Sequence, residues 1–317
     1  MRVLVTGASG FIGAAVVRRL AAEHAVTALI HTNNVPSIPG VATVRADLSD
    51  VAAIAEAVRE TEAIVHLAGR SQVRESFERP RLYWDINVRG TKTLLEAALQ
   101  EIRPGGRRVR WIQASTAAVY GVSSGQPIGE IAPTLPSSPY GESKLEAERA
   151  VERAVRAGLG AVVLRMFNVS GAVANVGDAD PTRIIPRALA VAAGHEPELR
   201  INGDGSSIRD FVHVEDVARA YELALRTCQP DRCLIYNVGG VAASVNEVVE
   251  TVRRVSGRSL AVSNDLSRSE VPVSVADTRR LRRLGWTPER STLEEIVADA
   301  WEALKSGRCT PDGSPPA

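Results

Sequence analysis

Tyr140 and Lys144 stand four residues apart in the stretch SPYGESKLEAE, residues 138–148. Four residues make about one turn of an α-helix, so the two side chains would project from the same face of a helix that begins near Ser138. A phenol has a pKa of about 10, and a neighbouring ammonium lowers that pKa because it favours the phenolate. The pair is therefore suited to general acid and base catalysis near neutral pH.

Two hydroxyl groups that could hold a reacting oxygen precede this pair. The stretch QASTAAVYG supplies Ser115 and Thr116 at the end of an apolar run that predicts a strand. A Y-x-x-x-K spacing alone arises by chance on many helices. Its combination with the Ser/Thr pair and with the glycine-rich turn described next predicts a proton-transfer site.

A glycine-rich turn stands at the start of the chain. VTGASGFIG places Gly7, Gly10 and Gly13 between a predicted strand and a predicted helix. Such glycines allow a tight turn and a close approach of the backbone to a pyrophosphate, while the helix N-terminus supplies N–H groups and a positive dipole. The position of this turn at the head of a βα array predicts dinucleotide binding.

The end of the second predicted strand departs from the pattern for NAD. An acidic residue that accepts the ribose hydroxyls is expected about 18–20 residues after the glycines, but His31, Thr32 and Asn33 stand there. The missing carboxylate admits NADP, yet this stretch has no arginine for a 2′-phosphate, so the choice between NAD and NADP stays open. Asp47 has two equally supported roles, as a partner of the adenine amino group or as a cap of a helix near Ser49.

The elements that must position these residues alternate between strands and helices. Nearly continuous apolar runs predict buried parallel strands in RVLVTG, AVTALI, ATVRAD, AIVHLAG, VRWIQAST and AVVLRMFNV. Helical patterns separate them. The predicted fold class is α/β, a doubly wound parallel sheet (Rossmann fold) with a smaller mixed C-terminal substrate lobe.

The rhythm changes after residue 170 and predicts two domains that interleave along the chain. We expect an NAD(P)-binding domain over 1–167 plus about 211–241. The substrate lobe would cover about 168–210 plus 242–305. The Pro/Gly-rich residues 306–317 predict a disordered tail.

Composition excludes several classes of partner. The chain has 317 residues, 44% of them hydrophobic and 24% charged, with a formal net charge of +1, so neither nucleic acid nor a membrane is expected to bind it. Cys228, Cys233 and Cys309 are too few and too isolated for a disulfide framework or a metal site. Glycines interrupt the apolar N-terminal run, so it predicts neither a signal peptide nor a membrane span. A cytoplasmic location with reduced thiols is expected.

Several longer stretches carry a family resemblance. They are VTGASGFIG, VHLAG, INVRGTKTLLEAA, STAAVYG, SPYGESK, FNVSG, NGDGSSIRDFVHVEDVARA, YNVGG and VADTRRLRRLGWTP. Together they resemble the extended short-chain dehydrogenase/reductases of the nucleotide-sugar epimerase/dehydratase family. The similarity to the UDP-hexose 4-epimerases of this family is greatest over HLAGRSQVRESFERPRLYWDINVRGT.

This resemblance implies a role for each matching position. Thr116 would hydrogen-bond the sugar hydroxyl, Tyr140 would exchange its proton, and Lys144 would tune Tyr140 and bind the nicotinamide ribose. The implied cofactor-binding residues are Gly7, Gly10, Phe11, Ile12, Gly13, His31, Asp47, Leu48, Leu67, Ala68, Gly69, Asn87, Tyr140 and Lys144. The implied substrate-binding residues are Val73, Thr116, Asn168, Arg209, Arg268 and Ser274, of which Asn168, Arg209 and Arg268 would grip the diphosphate.

The residues beside Thr116 narrow the reaction. Family dehydratases and decarboxylases carry acidic side chains there, whereas this chain has Ala117 and Ala118, which cannot transfer protons. Two reactions fit: an NAD-dependent 4-epimerase with a transient 4-keto sugar, which the overall similarity favours, and an NADPH-dependent 4-ketoreductase. His31 favours the reductase, as does Ser71, which stands where 4-epimerases often carry a cofactor-binding lysine.

Other features of the resemblance are less specific. Ser274 stands where 4-epimerases of unsubstituted hexoses have a bulky residue, so it leaves room for an N-acetyl group or a uronate. The residues do not decide between UDP and dTDP. Family habit implies a homodimer through helices near 87–102 and 141–157. The rival functions are a non-sugar reductase and a non-catalytic dinucleotide sensor.

Overall fold

The computed structural model describes residues 1–32, 38–102, 108–123, 125–267 and 271–307. The chain divides into two compact units, each described here by itself. The first comprises Met1–Val122, Glu130–Met166 and Ala218–Asn237, and the second comprises residues 123–129, 167–217 and the chain from Val238 onward. The assignment of the second unit as a substrate lobe stays a prediction, and the proposed tail lies, from residue 308, outside the described residues.

A seven-stranded sheet forms the centre of the first unit. Its strands lie side by side in the order β12-β6-β5-β4-β1-β2-β3, and the five pairs formed among β1 to β6 are parallel. The predicted parallel Rossmann-type sheet is therefore confirmed. The strands are β1 Arg2–Thr6, β2 Ala25–Ile30, β3 Ala42–Arg45, β4 Ala63–His66, β5 Arg110–Thr116, β6 Gly160–Met166 and β12 Cys233–Val238.

Helices accompany the strands of the first unit. They are α1 Phe11–Leu20, α2 Val51–Val58, α3 Val73–Glu78, α4 Pro80–Tyr83, the π-helix Trp84–Gly90, α5 Thr91–Gln100, α6 Pro139–Val155 and α8 Val214–Thr227, whose first residues belong to the second unit. One apolar core joins α2, α5 and α6 to the sheet, and its largest members include Trp111, Leu94, Leu159, Ile54 and Ile64.

The second unit contains smaller sheets. β11 (Ile208–His213) pairs with β13 (Val241–Ser244), β15 (Val273–Ser274) and β7 (Asn168–Ser170). The other strands are β8 Ala172–Val173, β9 Val176–Gly177, β10 Leu199–Asn202 and β14 Val262–Asp265, and the helices are α7 Ile184–Ala192, α9 Val245–Ser256, α10 Arg279–Arg282 and α11 Leu293–Lys305. Its core packs α7, α9 and α11 around Phe211, Ile296 and Trp301.

The local sequence explains where α6 begins. Ser138 has an extended backbone, and its hydroxyl accepts a hydrogen bond from Gly141 N at 3.2 Å, while Pro139 occupies the first turn. This is the expected N-terminal capping pattern. None of the helices formed by the described residues is long and apolar enough to cross a membrane.

Candidate active site

Tyr140 and Lys144 lie one turn apart on α6, as the spacing predicts. Both are buried, with 8% and 7% of their surface exposed. The ring of Tyr83, from α4, meets the ring of Tyr140 edge-on, with the centroids 6.2 Å apart. The phenol is therefore held between its own helix and an aromatic neighbour.

Lys144 is a buried ammonium that uses few of its donors. Its Nζ donates to the carbonyl oxygen of Ala114, at the end of β5, over 3.2 Å. Burial lowers the pKa of Lys144 from 10.5 to about 8, and the charge of Glu148 opposes that change. Because an ammonium has three N–H donors, Lys144 keeps donors for a ligand beyond the hydrogen bond that the described chain makes with it.

The structure separates the two hydroxyls that the sequence offered. Ser115 is buried and donates to the carboxylate of Glu148, so its hydroxyl is committed to the protein. Thr116 is partly exposed, and the one hydrogen bond that its Oγ1 makes within the described residues is accepted from Ala118 N, at 3.2 Å, in a short 3-10 turn. Thr116 is thus the hydroxyl that remains able to donate to a substrate.

Asn87 holds the loop after β4 against α6. Its Oδ1 accepts from Arg70 N at 2.8 Å, and its Nδ2 donates to Arg70 O at 3.1 Å and to Ser143 Oγ at 2.9 Å. Gly69 lies beside this clamp, and a Cβ on Gly69 would come within 2.7 Å of Asn87 Oδ1 and 3.2 Å of Lys144 Nζ. A side chain at position 69 would therefore have to displace Asn87 from its hydrogen bonds.

The glycine-rich turn has the backbone that a pyrophosphate needs. Gly7 has a φ of +66°, and a Cβ there would lie 2.6 Å from Ala68 N; one on Gly13 would lie 2.1 Å from Gly7 O. The helix α1 that follows opens with Phe11, Ile12 and Gly13, and it has neither a side-chain cap nor an acidic residue in its first turn. Its N–H groups and dipole are thus left for an anion.

The far end of the predicted cofactor region shows a pairing that the sequence did not reveal. His31 Nε2 lies 3.0 Å from Asp47 Oδ2, while Asp47 Oδ1 accepts from the main chain and hydroxyl of Ser49. Arg45 donates to the carbonyl oxygens of His31 and Thr32, at 2.6 and 2.9 Å. A carboxylate thus reaches this position from the neighbouring strand, together with an arginine.

Asp47 does not cap a helix near Ser49, so that reading was wrong. Helix α2 begins at Val51, and its cap is Asp50, whose carboxylate accepts from Ala53 N at 3.0 Å. Asp47 instead closes the tight turn before the cap, and its hydrogen bonds with Ser49 are the largest cause of its lowered pKa. The adenine role of Asp47 stays a prediction. Leu48, beside it, lies against Gly90.

These residues fit a dinucleotide. The uncapped helix N-terminus suits a pyrophosphate, and Gly7, Gly10 and Gly13 present no side chain at their positions in the turn. Leu67 and Ala68, which follow β4, bond the first strand through Thr6, with Leu67 N donating to Thr6 O and Ala68 N to Thr6 Oγ1. The buried Lys144 with unused donors is suited to a ribose hydroxyl.

Three of the predicted substrate residues share one sheet of the second unit. Arg209 of β11 pairs with Ser274 of β15, and Asn168 of β7 pairs with Phe211 of β11. Asn168 Nδ2 donates to Asp210 O at 2.8 Å, and Arg209 Nη1 donates to Val271 O at 2.7 Å.

Three substrate predictions remain, of which Thr116 ends β5. Val73 opens α3 in the first unit and is 43% exposed, whereas Arg268 lies outside the described residues. Ser71, which replaces the expected lysine, is exposed.

Sequence reasoning missed Glu148 and Arg165. Glu148 follows Lys144 by one further turn of α6 and is 2% exposed, and Arg165 in β6 is 4% exposed and bonds it over 2.6 Å. The repeated four-residue spacing Tyr140, Lys144, Glu148 was the signal that could have found the carboxylate. Arg165 lies in the mostly apolar run AVVLRMFNV, which predicts a buried strand and gives no sign of a functional arginine.

Comparison with known proteins agrees with this geometry. The model of the NAD dependent epimerase/dehydratase family matches residues 3–239. The UDP-glucose 4-epimerase of Streptomyces lividans is 39% identical over 94% of both chains. The UDP-glucose 4-epimerase of Corynebacterium glutamicum is 37% identical over 95% of both.

Solved structures of UDP-glucose 4-epimerases are also similar to this chain. The UDP-glucose-4-epimerase of Stenotrophomonas maltophila, with bound NAD and formylated UDP-arabinopyranose, matches with a TM-score of 0.86 and 30% identity over 96% of this chain and 98% of that one. The Bifidobacterium longum enzyme with NAD+ and UDP matches with a TM-score of 0.87 and 26% identity over 99% and 100%. The chain belongs to the NAD dependent epimerase/dehydratase family.

Proposed function

We propose that this chain is an NAD-dependent UDP-hexose 4-epimerase that works through a transient 4-keto sugar, with Tyr140 as its acid and base. The observation that carries the proposal is the buried ammonium of Lys144 one turn from Tyr140, beside the end of β5 where Thr116 stands. Family membership and full-length relatives that are 4-epimerases support the reaction class.

The proton moves through the side chains of α6 and β5. Thr116 donates a hydrogen bond to the oxygen on C4 of the sugar and fixes it near Tyr140. The charge of Lys144 favours the phenolate, so Tyr140 accepts the proton of the C4 hydroxyl and later returns it to the 4-keto oxygen. The glycine-rich turn and Lys144 would hold NAD, which would supply the reversible hydride chemistry at C4.

The protein must also hold the uridine diphosphate while the keto sugar turns over. We assign this to Asn168 and Arg209, with Arg268 as a further predicted contact, because an arginine fork suits phosphate oxygens. Val73 is assigned to the sugar. Ser274, paired with Arg209 in the sheet, leaves room for a substituted hexose. UDP is preferred to dTDP because the compared structures hold UDP or a UDP-sugar.

The cofactor proposal is NAD. The description of the family and the neighbouring structures with NAD support it. The approach of Asp47 to His31, 3.0 Å away, brings back the negative charge whose absence favoured a 2′-phosphate and hence the 4-ketoreductase.

We also propose a homodimer in the cytoplasm, through the helices near 87–102 and 141–157. A cavity of about 270 Å³ runs between α5 and α6, lined by Leu95, Leu99, Ala150 and Ala154 with charged residues at its edge. Cys228 and Cys233 are free thiols.

The test combines an assay with one substitution. Purified protein should interconvert UDP-galactose and UDP-glucose without added reductant. Tyr140→Phe should lose at least about a thousandfold in kcat, within the range of general acid–base catalysis plus lost positioning, and should keep UDP binding. Tyr236→Phe, another buried tyrosine of the first unit, is the matched control.

Each alternative gives a different result. Turnover of NADPH with a 4-keto sugar in place of epimerisation would replace the proposal by the reductase. A near-normal rate for Tyr140→Phe would remove the acid–base role. Binding of NAD without turnover of any UDP-hexose would favour a dinucleotide sensor.

A further inference from the structure

The face of α6 that carries Tyr140 and Lys144 continues to a third ionisable residue. Glu148 lies one turn beyond Lys144, and residues four apart on a helix are neighbours. Glu148 is 2% exposed and Lys144 is 7% exposed, so this pair interacts away from bulk water, where charges act strongly on one another. Tyr140, Lys144 and Glu148 thus form a row on α6, here called the α6 row.

Two residues of the sheet fix the carboxylate at the end of this row. Ser115 and Arg165 are register partners in β5 and β6, so both side chains rise from the same place on the sheet. Ser115 donates to Oε1 of Glu148, Arg165 Nε donates to Oε1 at 3.0 Å, and Arg165 Nη2 donates to Oε2 at 2.6 Å. Both oxygens are therefore held in place.

Arg165 is itself held from other sides. It donates to Tyr120 Oη at 3.0 Å and to Glu130 O at 3.3 Å, and its guanidinium lies 4.9 Å from the centre of the Tyr120 ring. Tyr120 in turn donates to Asn237 Oδ1 at 2.7 Å. Glu148 cannot rotate away from Lys144 without breaking this network.

The other ionisable groups around the α6 row do not supply the same charge. His66 on β4 is fully buried with a pKa of about 3, so it is neutral. Cys233 on β12 has a pKa raised by burial to about 12, so its thiol is protonated at neutral pH. Glu148 is the carboxylate whose charge opposes the effect of burial on Lys144.

We propose that Glu148 is a positioning residue for the acid–base pair: fixed by Ser115 and Arg165, it keeps Lys144 charged inside the protein, so that Lys144 can favour the phenolate of Tyr140. This rests on the proposed function only in what the charge is used for. The ion pair with Arg165 offsets the cost of burying the Glu148 carboxylate. It also keeps that carboxylate from moving onto Lys144 and cancelling the charge of the ammonium.

The chain offers a direct measurement, because it contains only three lysines, Lys92, Lys144 and Lys305. Protein labelled with 13C-lysine would give three side-chain signals, and the one lost in Lys144→Met identifies Lys144. In the protein as purified, this signal should titrate near pH 8, and in Glu148→Gln its pKa should fall by about one unit, since a nearby opposite charge favours the charged form.

Two further variants make the result decisive. Glu148→Gln leaves Arg165 without its partner and could fail to fold, so Glu148→Gln combined with Arg165→Met removes both charges and should show the same fall in the Lys144 pKa. Glu152→Gln removes an exposed carboxylate one turn further along α6 and should leave the pKa unchanged. The epimerase pH profile of Glu148→Gln should lose its alkaline side about one pH unit earlier.

The outcomes separate the two proposals. An unchanged Lys144 pKa in the single and double variants, or an equal shift in Glu152→Gln, overturns the role of Glu148 even if the enzyme is an active epimerase. A shifted Lys144 pKa in a protein that epimerises no UDP-hexose supports the role of Glu148 and overturns the proposed function instead.

Discussion

Replacement of Lys144 by methionine should make the folded protein more stable and, under the proposed mechanism, should abolish its activity. At pH 7 the ammonium is charged in both states, but burial lowers its folded pKa from 10.5 to about 8. Each pKa unit corresponds to about 1.4 kcal/mol, so folding the charged lysine costs about 3 kcal/mol. The lost hydrogen bond to Ala114 returns about 1 kcal/mol. The net gain expected for Lys144→Met is about 2 kcal/mol.

This gain should depend on pH with a definite sign. The folded pKa of Lys144 lies below the unfolded value, so the cost of the charge is complete below pH 8 and disappears as the pH rises towards 10.5. At pH 9.5 the cost should be about 1.4 kcal/mol. The advantage of the methionine variant over the wild type should therefore shrink by about 2 kcal/mol between pH 7 and pH 9.5.

Urea denaturation of cofactor-free protein at these two pH values measures the difference. Lys305→Met is the control, because Lys305 is exposed on α11, where it pairs with Glu302 and lies 5.8 Å from the centre of the Trp301 ring. Both are surface contacts, so its effect should stay within about 1 kcal/mol at both pH values. A Lys144→Met protein that is less stable than wild type at pH 7, or an advantage that does not change with pH, would show that Lys144 is not held as a costly charge.

Three further predictions concern buried groups. His66 has a pKa of about 3, so the NMR signals of its ring should not titrate between pH 8 and 5. The free energy of unfolding should fall by about 2 kcal/mol from pH 7 to 5 through this residue, because the ring takes up its proton at a higher pH in the unfolded chain. A ring that titrates above pH 5 would contradict this. Gly69→Ala places a methyl group 2.7 Å from Asn87 Oδ1 and should weaken NAD binding at least about tenfold by calorimetry, unlike Gly129→Ala, whose nearest described contact is 3.9 Å away; equal affinities would refute the clamp. Ser170 Oγ is buried without a partner in the described chain, so Ser170→Ala should raise the free energy of unfolding in urea by about 1 kcal/mol, and a loss of stability would mean that the hydroxyl has a partner.

The sequence predicts the sheet and the helix that carries the proposed acid–base pair because local signals are strong there. The apolar runs of β1, β2, β4, β5 and β6 are mostly buried on both faces, which parallel strands covered by helices require, whereas β3 at the edge of the sheet is exposed. Ser138 and Pro139 mark the beginning of α6 through capping and the fixed φ of proline. Once this beginning is known, the geometry of a helix places Tyr140 and Lys144 together.

The sequence does not predict contacts that depend on which strands lie side by side. Arg45 reaches His31 because β3 pairs with β2, and nothing in either stretch indicates that hydrogen bond. Asp47 meets His31 for the same reason. The sequence did not decide between the two roles of Asp47. The outcome depends on a tight turn in which the Asp47 carboxylate accepts a hydrogen bond from Ser49 N, two residues later.

The same limit explains why the residue types alone did not show whether Ser115 or Thr116 is available to a substrate. Neighbouring residues of a strand face opposite sides of the sheet, so only one of them can be available to the substrate. The selection is made by Glu148, which accepts the hydroxyl of Ser115 on the α6 side. Since Arg165 of β6 holds Glu148 together with Ser115, the choice of the hydroxyl proposed for the substrate depends on the register between β5 and β6.

The cost of Lys144 and its use have one physical cause. An exposed lysine would fold without a penalty, but water would screen its charge, and Tyr140 one turn away would feel little of it. Burial strengthens the field at Tyr140 and at the same time makes the ammonium tend to lose its proton, which would end the effect. A buried carboxylate on the far side of Lys144 resolves this conflict, provided that a second cation keeps the carboxylate from neutralising Lys144. Glu148 and Arg165 meet both conditions. The charge of Lys144 therefore depends on the buried ion pair as a unit and not on Glu148 alone.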